Sequence, residues 1–228
     1  MQLTKVVTIG ISGPSCSGKT TLALLLKKLL NRVIVINQDE YFKSDDQIPI
    51  DENTGLANWD SPAAIDFKSL NEAIDKARRD PFALLTKKEK KLQNNHHGSD
   101  LMTKQDFNDI SDQLKFLEDI IFIIVEGFLL FCDEDVCANL DNKFFVTASR
   151  QVLKKRRESR PGYKTLQGYW VDPPGYFDQI VYPQYLLWNS HLLDPKTIDP
   201  SIQILNTDNT SVKEMTTVVI NSLTQNYT

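Results

Sequence analysis

Apolar residues fall into five short blocks separated by amphipathic or polar stretches. Val6-Val7-Thr8-Ile9-Gly10-Ile11, Val33-Ile34-Val35-Ile36, Ile120-Ile121-Phe122-Ile123-Ile124-Val125, the block from Lys143 to Val146, and Ile202-Gln203-Ile204-Leu205 are mostly continuous rather than alternating. That pattern predicts short strands buried on both faces of a parallel sheet. Helical stretches lie between them. Leu22 to Leu30 is one. Ser61 is placed to cap another, with Pro62 in its first turn and Ile65, Leu70, Ala73, Ile74 and Ala77 as its apolar positions. A basic helix is expected from Ser149, and a C-terminal helix from about Ser211. Strands alternating with helices predict an α/β fold, a doubly wound sheet of five parallel strands.

Residues 80 to about 117 break the pattern. Lys87-Lys88-Glu89-Lys90-Lys91 and Asn94-Asn95-His96-His97-Gly98-Ser99 leave only scattered apolar positions, so this segment is expected to be a solvated polar insert in one domain spanning residues 1–228. His96 and His97 lack a second ligand pair at metal-binding spacing and are read as a surface loop.

The first block runs into Gly13-Pro14-Ser15-Cys16-Ser17-Gly18-Lys19-Thr20-Thr21 and then into the first helix. Strand, glycine-rich loop and helix, with Gly13, Gly18, Lys19 and Thr20 at this spacing, fit the phosphate-binding loop of P-loop NTPases. Glycines allow the backbone to approach a polyphosphate, and loop N–H groups with the helix N-terminus bind its oxygens. Lys19 reaches the β and γ phosphates, and the Thr20 hydroxyl takes Mg²⁺. Two further strands end in acids, Asp39 and Glu40 after the second block and Glu126 after the third. Ligands of open α/β sheets sit beyond the carboxyl ends of strands, so these carboxylates point at the phosphate site. Glu126 resembles the second-strand acid that places Mg²⁺. The segment Ser149 to Arg160 carries six Lys or Arg residues. With a phosphate loop present it is read as a mobile basic lid, about residues 150–180, whose guanidinium groups neutralise a transferring phosphoryl group.

Composition narrows the partners. A net charge of -4 provides no field for gathering nucleic acid, and 41% hydrophobic with 25% charged residues is ordinary for a globular protein. The longest purely apolar run, Ile120 to Val125, is far shorter than the roughly 20 residues of a membrane span. A cleaved leader would remove the strand that feeds the phosphate loop, so a cytoplasmic protein is expected. Three cysteines without framework spacing suit a reducing compartment. Cys16 lies within the loop, where it would be oxidisable.

The segments Gly10 to Ala23, Asn37-Gln38-Asp39-Glu40-Tyr41-Phe42-Lys43, Asn58-Trp59-Asp60, Val125-Glu126-Gly127-Phe128-Leu129-Leu130-Phe131, Lys155 to Arg160 and Pro173-Pro174-Gly175-Tyr176-Phe177-Asp178 together resemble nicotinamide riboside kinases. These belong to the uridine kinase-like group of P-loop kinases. The resemblance implies γ-phosphoryl transfer from ATP or GTP, with Mg²⁺, to the 5′-hydroxyl of nicotinamide riboside, giving nicotinamide mononucleotide for NAD synthesis. It leaves nicotinic acid riboside open as a second acceptor. It further implies that Asp39 is the general base near the metal, Thr20 the direct metal ligand and Glu126 a metal-placing acid. Trp59, with Tyr163 opposite, would hold the nicotinamide ring, Asp60 and Arg157 the ribose, and Tyr41 and Phe42 the surrounding pocket. Arg156 and Arg160 would meet the nucleotide phosphates, and Asp208 and Asn209 would lie along the adenine. Pro161-Gly162 and Lys164 to Asp172 lengthen the lid relative to the family pattern.

The chemistry of such a site is coherent. A pyridinium ring carries a fixed positive charge and gains cation–π attraction of about 0.5 to 2 kcal/mol between aromatic faces, which uridine would not. The alternatives are a uridine or cytidine kinase of the same fold and a GTP-hydrolysing switch. The latter lacks its guanine-reading Asn-Lys-x-Asp motif here, since Asn142-Lys143 is followed by Phe144-Phe145.

Overall fold

The computed structural model describes residues 4–85, 102–165, 168–194 and 196–227. Strands β1 (Val6–Ser12), β2 (Arg32–Asn37), β3 (Ile121–Glu126) and β4 (Asn142–Thr147) share one sheet with a last strand, Ile202–Asn206. The order across the sheet is β2, β3, β1, β4 and the last strand, and every pairing is parallel. The five expected strands are therefore the five observed. All six residues of β3 are buried, as a central strand covered on both faces requires.

Helices cover both faces. α1 (Lys19–Leu29) packs on one face with the C-terminal helix Val212–Tyr227, closing over Val7, Ile9, Ile11, Phe122, Ile124, Phe144 and Val146. On the other face α2 (Phe67–Arg79) contributes Leu70, Ile74 and Ala77 against Ile34, Ile36, Ile121, Ile123 and Val125. β3 thus sends alternate residues to opposite cores, the period of two that extended backbone imposes. The helix expected from Ser61 begins later. The Ser61 side chain accepts from the Ala63 amide and caps only a single 3₁₀ turn, Pro62–Ala64. Ile65 leaves helical geometry to bridge with Phe42, and α2 starts after its own cap, Asp66, which accepts from Ser69. A short α3 (Pro81–Leu85) follows.

The 80–117 segment differs from the expected wet insert over its described second half. α4 (Lys104–Ser111) and a 3₁₀ stretch, Asp112–Leu117, place Ile110, Leu114 and Leu117, with Met102 just before them, in the core formed with α1 and the C-terminal helix. The i, i+4, i+7 spacing of Ile110, Leu114 and Leu117 is a helical face that flanking polar residues had masked. The lysine run 87–91, His96 and His97 lie outside the described residues.

After α5 (Glu134–Ala138) and β4 comes the basic helix α6 (Arg150–Glu158), where the lid was expected. The lengthened lid stretch forms an antiparallel hairpin, β5 (Tyr163–Thr165) with β6 (Gly168–Trp170). The chain then passes through a π-helical turn, Phe177–Val181, into α7 (Tyr182–Asn189), and ends in β7 (Ile202–Asn206) and α8 (Val212–Tyr227). Among the described residues no helix is long and apolar enough to cross a membrane.

Candidate active site

The parallel register brings the strand ends together. Glu126 pairs with Ile11 of β1 and with Asn37 of β2, so the acid stands between the root of the glycine loop and the turn that carries Asp39. Gln38 fixes this junction. Its Oε1 accepts from the amides of Phe128 at 2.9 Å and Leu129 at 3.0 Å, and a side chain at Gly127 would collide with it. Asn37 Oδ1 accepts from the Asp39 amide at 2.9 Å, capping the 3₁₀ turn Gln38–Tyr41.

The loop from Gly13 to Gly18 closes tightly against β4. At Gly13 (φ +141°) a Cβ would lie 1.9 Å from the Val146 carbonyl oxygen, so only glycine fits. Cys16 also takes left-handed backbone (φ 68°), and its side chain is buried. Lys19, the first residue of α1, is buried and donates from Nζ to the Pro14 carbonyl at 2.9 Å. Burial lowers its pKa, opposed by the carboxylates of Glu126 and Asp39. The Thr20 hydroxyl donates to Glu126 Oε1 at 3.1 Å. Glu126 is 4% exposed, its Oε2 has no hydrogen-bond partner, and burial pushes its pKa up to about 7. Asp39 is closely surrounded by protein, which raises its pKa against the pull of Lys19, Arg160 and Arg157, yet its side chain still meets solvent.

These oxygens fit a magnesium ion. The Thr20 hydroxyl and the Glu126 carboxylate are adjacent hard donors, one carboxylate oxygen has no other partner, and Asp39 lies within electrostatic reach. Among the described residues no group of three or more His, Cys, Asp or Glu side chains forms an ion cage. Few protein ligands, with waters and substrate phosphates completing the shell, is how Mg²⁺ is commonly held.

A second cluster adjoins the loop. Asp60, Pro14, Ser15 and Phe128 line one small cavity. Phe42 lies edge-on to Trp59 at 5.4 Å between centroids and stacks on Phe128 at 5.8 Å. Trp59 faces Trp170 of the hairpin at 5.9 Å, and Tyr176 buttresses Trp170 at 5.9 Å. The Tyr176 hydroxyl donates to the Ala57 carbonyl at 2.7 Å and accepts from the Trp59 amide at 3.3 Å, tying down the loop that carries Trp59 and Asp60. Asp60 is buried, which raises its pKa, while Arg157, 3.9 Å away, opposes the shift. Tyr41 is half-buried beside Asp39.

The lid helix reaches both clusters. Arg156 Nη1 donates to the Cys16 carbonyl at 3.3 Å and to the Thr207 hydroxyl at 3.0 Å, while Arg157, one residue on, turns to the Asp60 side. Arg160 is exposed beyond the helix end, and its charge acts on Lys19 and Asp39. Asp208 accepts from the Ser149 amide at 2.8 Å and from the Ser149 hydroxyl at 3.3 Å, so its carboxylate is used to seat the N-terminus of the lid helix. The side chain of Tyr163 lies outside what is described, and the aromatic partner found for Trp59 in the hairpin is Trp170. Trp170, Asp172 and Tyr176 escaped the sequence reading of the site. The only signal available was the Pro-Pro-Gly-Tyr-Phe-Asp segment beginning one residue after Asp172.

A parallel sheet in this order, a glycine loop entering α1, a buried lysine at the loop's end and carboxylates beyond β3 and β2 define a P-loop kinase. The family described as Phosphoribulokinase / Uridine kinase matches residues 8–163. The chain is 36% identical over 224 residues to "Nicotinamide riboside kinase" of Saccharomyces cerevisiae, covering 91% of each protein. It is 31% identical to the protein of that name from Schizosaccharomyces pombe, covering 96% of each. It is 32% identical to human "Nicotinamide riboside kinase 1" over 83% of this chain and 80% of that one. The chain belongs to the phosphoribulokinase/uridine kinase family, in its nicotinamide riboside kinase branch.

Proposed function

We propose that the chain phosphorylates nicotinamide riboside, moving the γ-phosphoryl group of ATP or GTP to the 5′-hydroxyl and releasing nicotinamide mononucleotide for NAD synthesis. The observation that carries this reading is the junction of two clusters, the Lys19–Asp39–Glu126 group at the phosphate loop and the Trp59–Asp60–Arg157 group beside it. Arg157 links the two clusters: its charge acts on both the Asp39 and the Asp60 carboxyls.

In this mechanism loop amides and Lys19 hold the donor phosphates, and Arg156 and Arg160 approach them from the lid. Thr20, Asp39 and Glu126 would hold Mg²⁺, which when bound offsets charge on the β and γ oxygens. Asp60 and Arg157 take the ribose hydroxyls, which turns the 5′-hydroxyl toward Asp39. The Asp39 carboxylate accepts its proton as the oxygen attacks phosphorus, a role worth on the order of 10² to 10⁴ in rate. Trp59 and Trp170 flank the base position, where a pyridinium cation gains more than a neutral ring. A carboxylate receiving two ribose hydroxyls also disfavours deoxyribosides, which would leave buried lone pairs unpaired. The free thiols of Cys16, Cys132 and Cys137 accord with a cytoplasmic location.

The test is donor consumption with purified protein, Mg²⁺ and ATP, run in parallel with nicotinamide riboside, uridine, cytidine and no acceptor. A strong preference for nicotinamide riboside is expected. A preference for a pyrimidine nucleoside would make the chain a uridine/cytidine kinase, and acceptor-independent hydrolysis alone would remove it from the kinases.

A further inference from the structure

Asp172 has no place in the chemistry above, yet it makes the best-formed ion pair near the acceptor cluster. It receives Arg157 through two parallel bonds, Nε to Oδ2 at 2.6 Å and Nη2 to Oδ1 at 3.0 Å. The indole Nε1 of Trp170 donates to the same Oδ1 at 2.9 Å. One carboxylate therefore holds an arm from the lid helix and an arm from the lid hairpin. Its partner is deep, with the Arg157 side chain 8% exposed, and the guanidinium also lies 5.8 Å from the Tyr176 ring.

The geometry has a consequence for Asp60. With the Nε/Nη2 edge of the guanidinium engaged by Asp172, Nη1 is the atom turned to Asp60, at 3.9 Å, too long for a hydrogen bond. A guanidinium offers a carboxylate its strongest contact as a two-pronged fork. Without Asp172, the nearest carboxylate for that fork is Asp60. Arg157 would then close on Asp60 and occupy the lone pairs that ribose hydroxyls need. The trio also carries two formal negative charges against one positive, which suits a cationic nucleoside.

We propose that Asp172 is a positioning residue for the nucleoside acceptor: it holds Arg157 off Asp60 and ties the Trp170 indole to that arginine, so that the Asp60 carboxylate is open to ribose hydroxyls before substrate arrives. This rests on the proposed nucleoside kinase function.

The test measures KM and kcat for nicotinamide riboside and for ATP in wild type, Asp172→Asn, Asp172→Glu, Arg157→Ala and the double variant Arg157→Ala/Asp172→Asn, with melting temperatures for each. Asp172→Asn should raise the riboside KM by at least about tenfold, the scale of a lost charged hydrogen bond. The ATP KM should stay within about twofold, and Asp172→Glu should recover part of the loss. In the Arg157→Ala background, removing Asp172 should add less than about threefold, because the carboxylate acts largely through the arginine. An unchanged riboside KM in Asp172→Asn, an equal rise in the ATP KM, or full additivity in the double variant would overturn the proposal. If Asp172→Asn does not fold, Asp172→Glu serves as the single variant: a rise in the riboside KM with the ATP KM within about twofold is expected, and an unchanged riboside KM there would overturn the proposal. Were wild type to prefer uridine, the functional reading would fail, and the same ratios measured with uridine would still decide the role of Asp172.

Discussion

Truncating Trp59 to alanine should remove one wall of the proposed acceptor pocket and leave the phosphate site intact. The side chain is half-buried against Phe42 and Trp170, its indole N–H has no partner, and its backbone amide is held by Tyr176. The loop backbone therefore keeps its anchor when the ring is lost. Stacking of a base on an aromatic side chain is worth about 1 to 3 kcal/mol, which corresponds to a rise in riboside KM of roughly 5- to 150-fold. The cationic share of this, about 0.5 to 2 kcal/mol, applies to nicotinamide riboside and not to uridine. Preference for the cation over uridine should thus fall by roughly 2- to 30-fold. In the present conformation the two indoles are 5.9 Å apart, whereas a ring between them requires roughly 7 Å, two carbon contact distances. Binding therefore parts the two indoles, and quenching of tryptophan emission on riboside addition should be reduced in Trp59→Ala, where Trp170 remains. The assay is initial-rate release of ADP over a riboside series at saturating ATP, repeated with uridine, with melting temperature as a folding control. An unchanged riboside KM, or equal losses for riboside and uridine, would refute the aromatic recognition argument.

Three further outcomes are expected. Asp39→Ala should cut kcat by at least about 10²-fold while nucleotide binding, followed by fluorescent ATP analogue titration, is retained; because the protein packed around the exposed Asp39 raises its carboxyl, wild-type turnover should fall with decreasing pH from above the usual carboxylate range, and a rate flat down to pH of about 4 would remove it as the base. Glu126, pushed up to about 7 when folded from an ordinary glutamate value of 4.5, binds more protons folded than unfolded, so the metal-free protein should lose on the order of 3 kcal/mol of stability as pH rises from about 4.5 to 7; urea melts should show this slope shrinking in Glu126→Gln, and an identical slope in that variant would contradict the assignment. Gly13→Ala sets a Cβ 1.9 Å from a backbone oxygen, so destabilisation of at least about 3 kcal/mol with loss of nucleotide binding is expected, and a melting temperature within about 2 °C of wild type would refute the close-approach argument.

How much of this was readable from the chain depends on whether the interaction is local. The phosphate loop was legible because its requirements are met by consecutive residues. Gly13 and Gly18 take backbone that other residues avoid, and Lys19 and Thr20 follow directly at the helix start. The five strands were legible because burial on both faces demands continuous apolar residues, and Asp39 and Glu126 because they stand at strand ends. Chain order alone could not assign Met102, Ile110, Leu114 and Leu117 to a core, since their partners in α1 and α8 lie about a hundred residues away in either direction. Nor could it end the Ser61 turn, where Ile65 abandons the helix to bridge with Phe42. The contact of Asp208 with the amide of Ser149, 59 residues away, is made only by the fold. The Arg157, Trp170 and Asp172 junction is likewise tertiary. Its geometry depends on how a hairpin returns against a helix, and side-chain hydrogen bonds across such a return leave no periodic trace in the sequence. Residue type and local spacing thus determined the sheet and the phosphate loop, while long-range packing decided which side chains gather around Trp59 and Asp60, because those contacts exist only once the elements have docked.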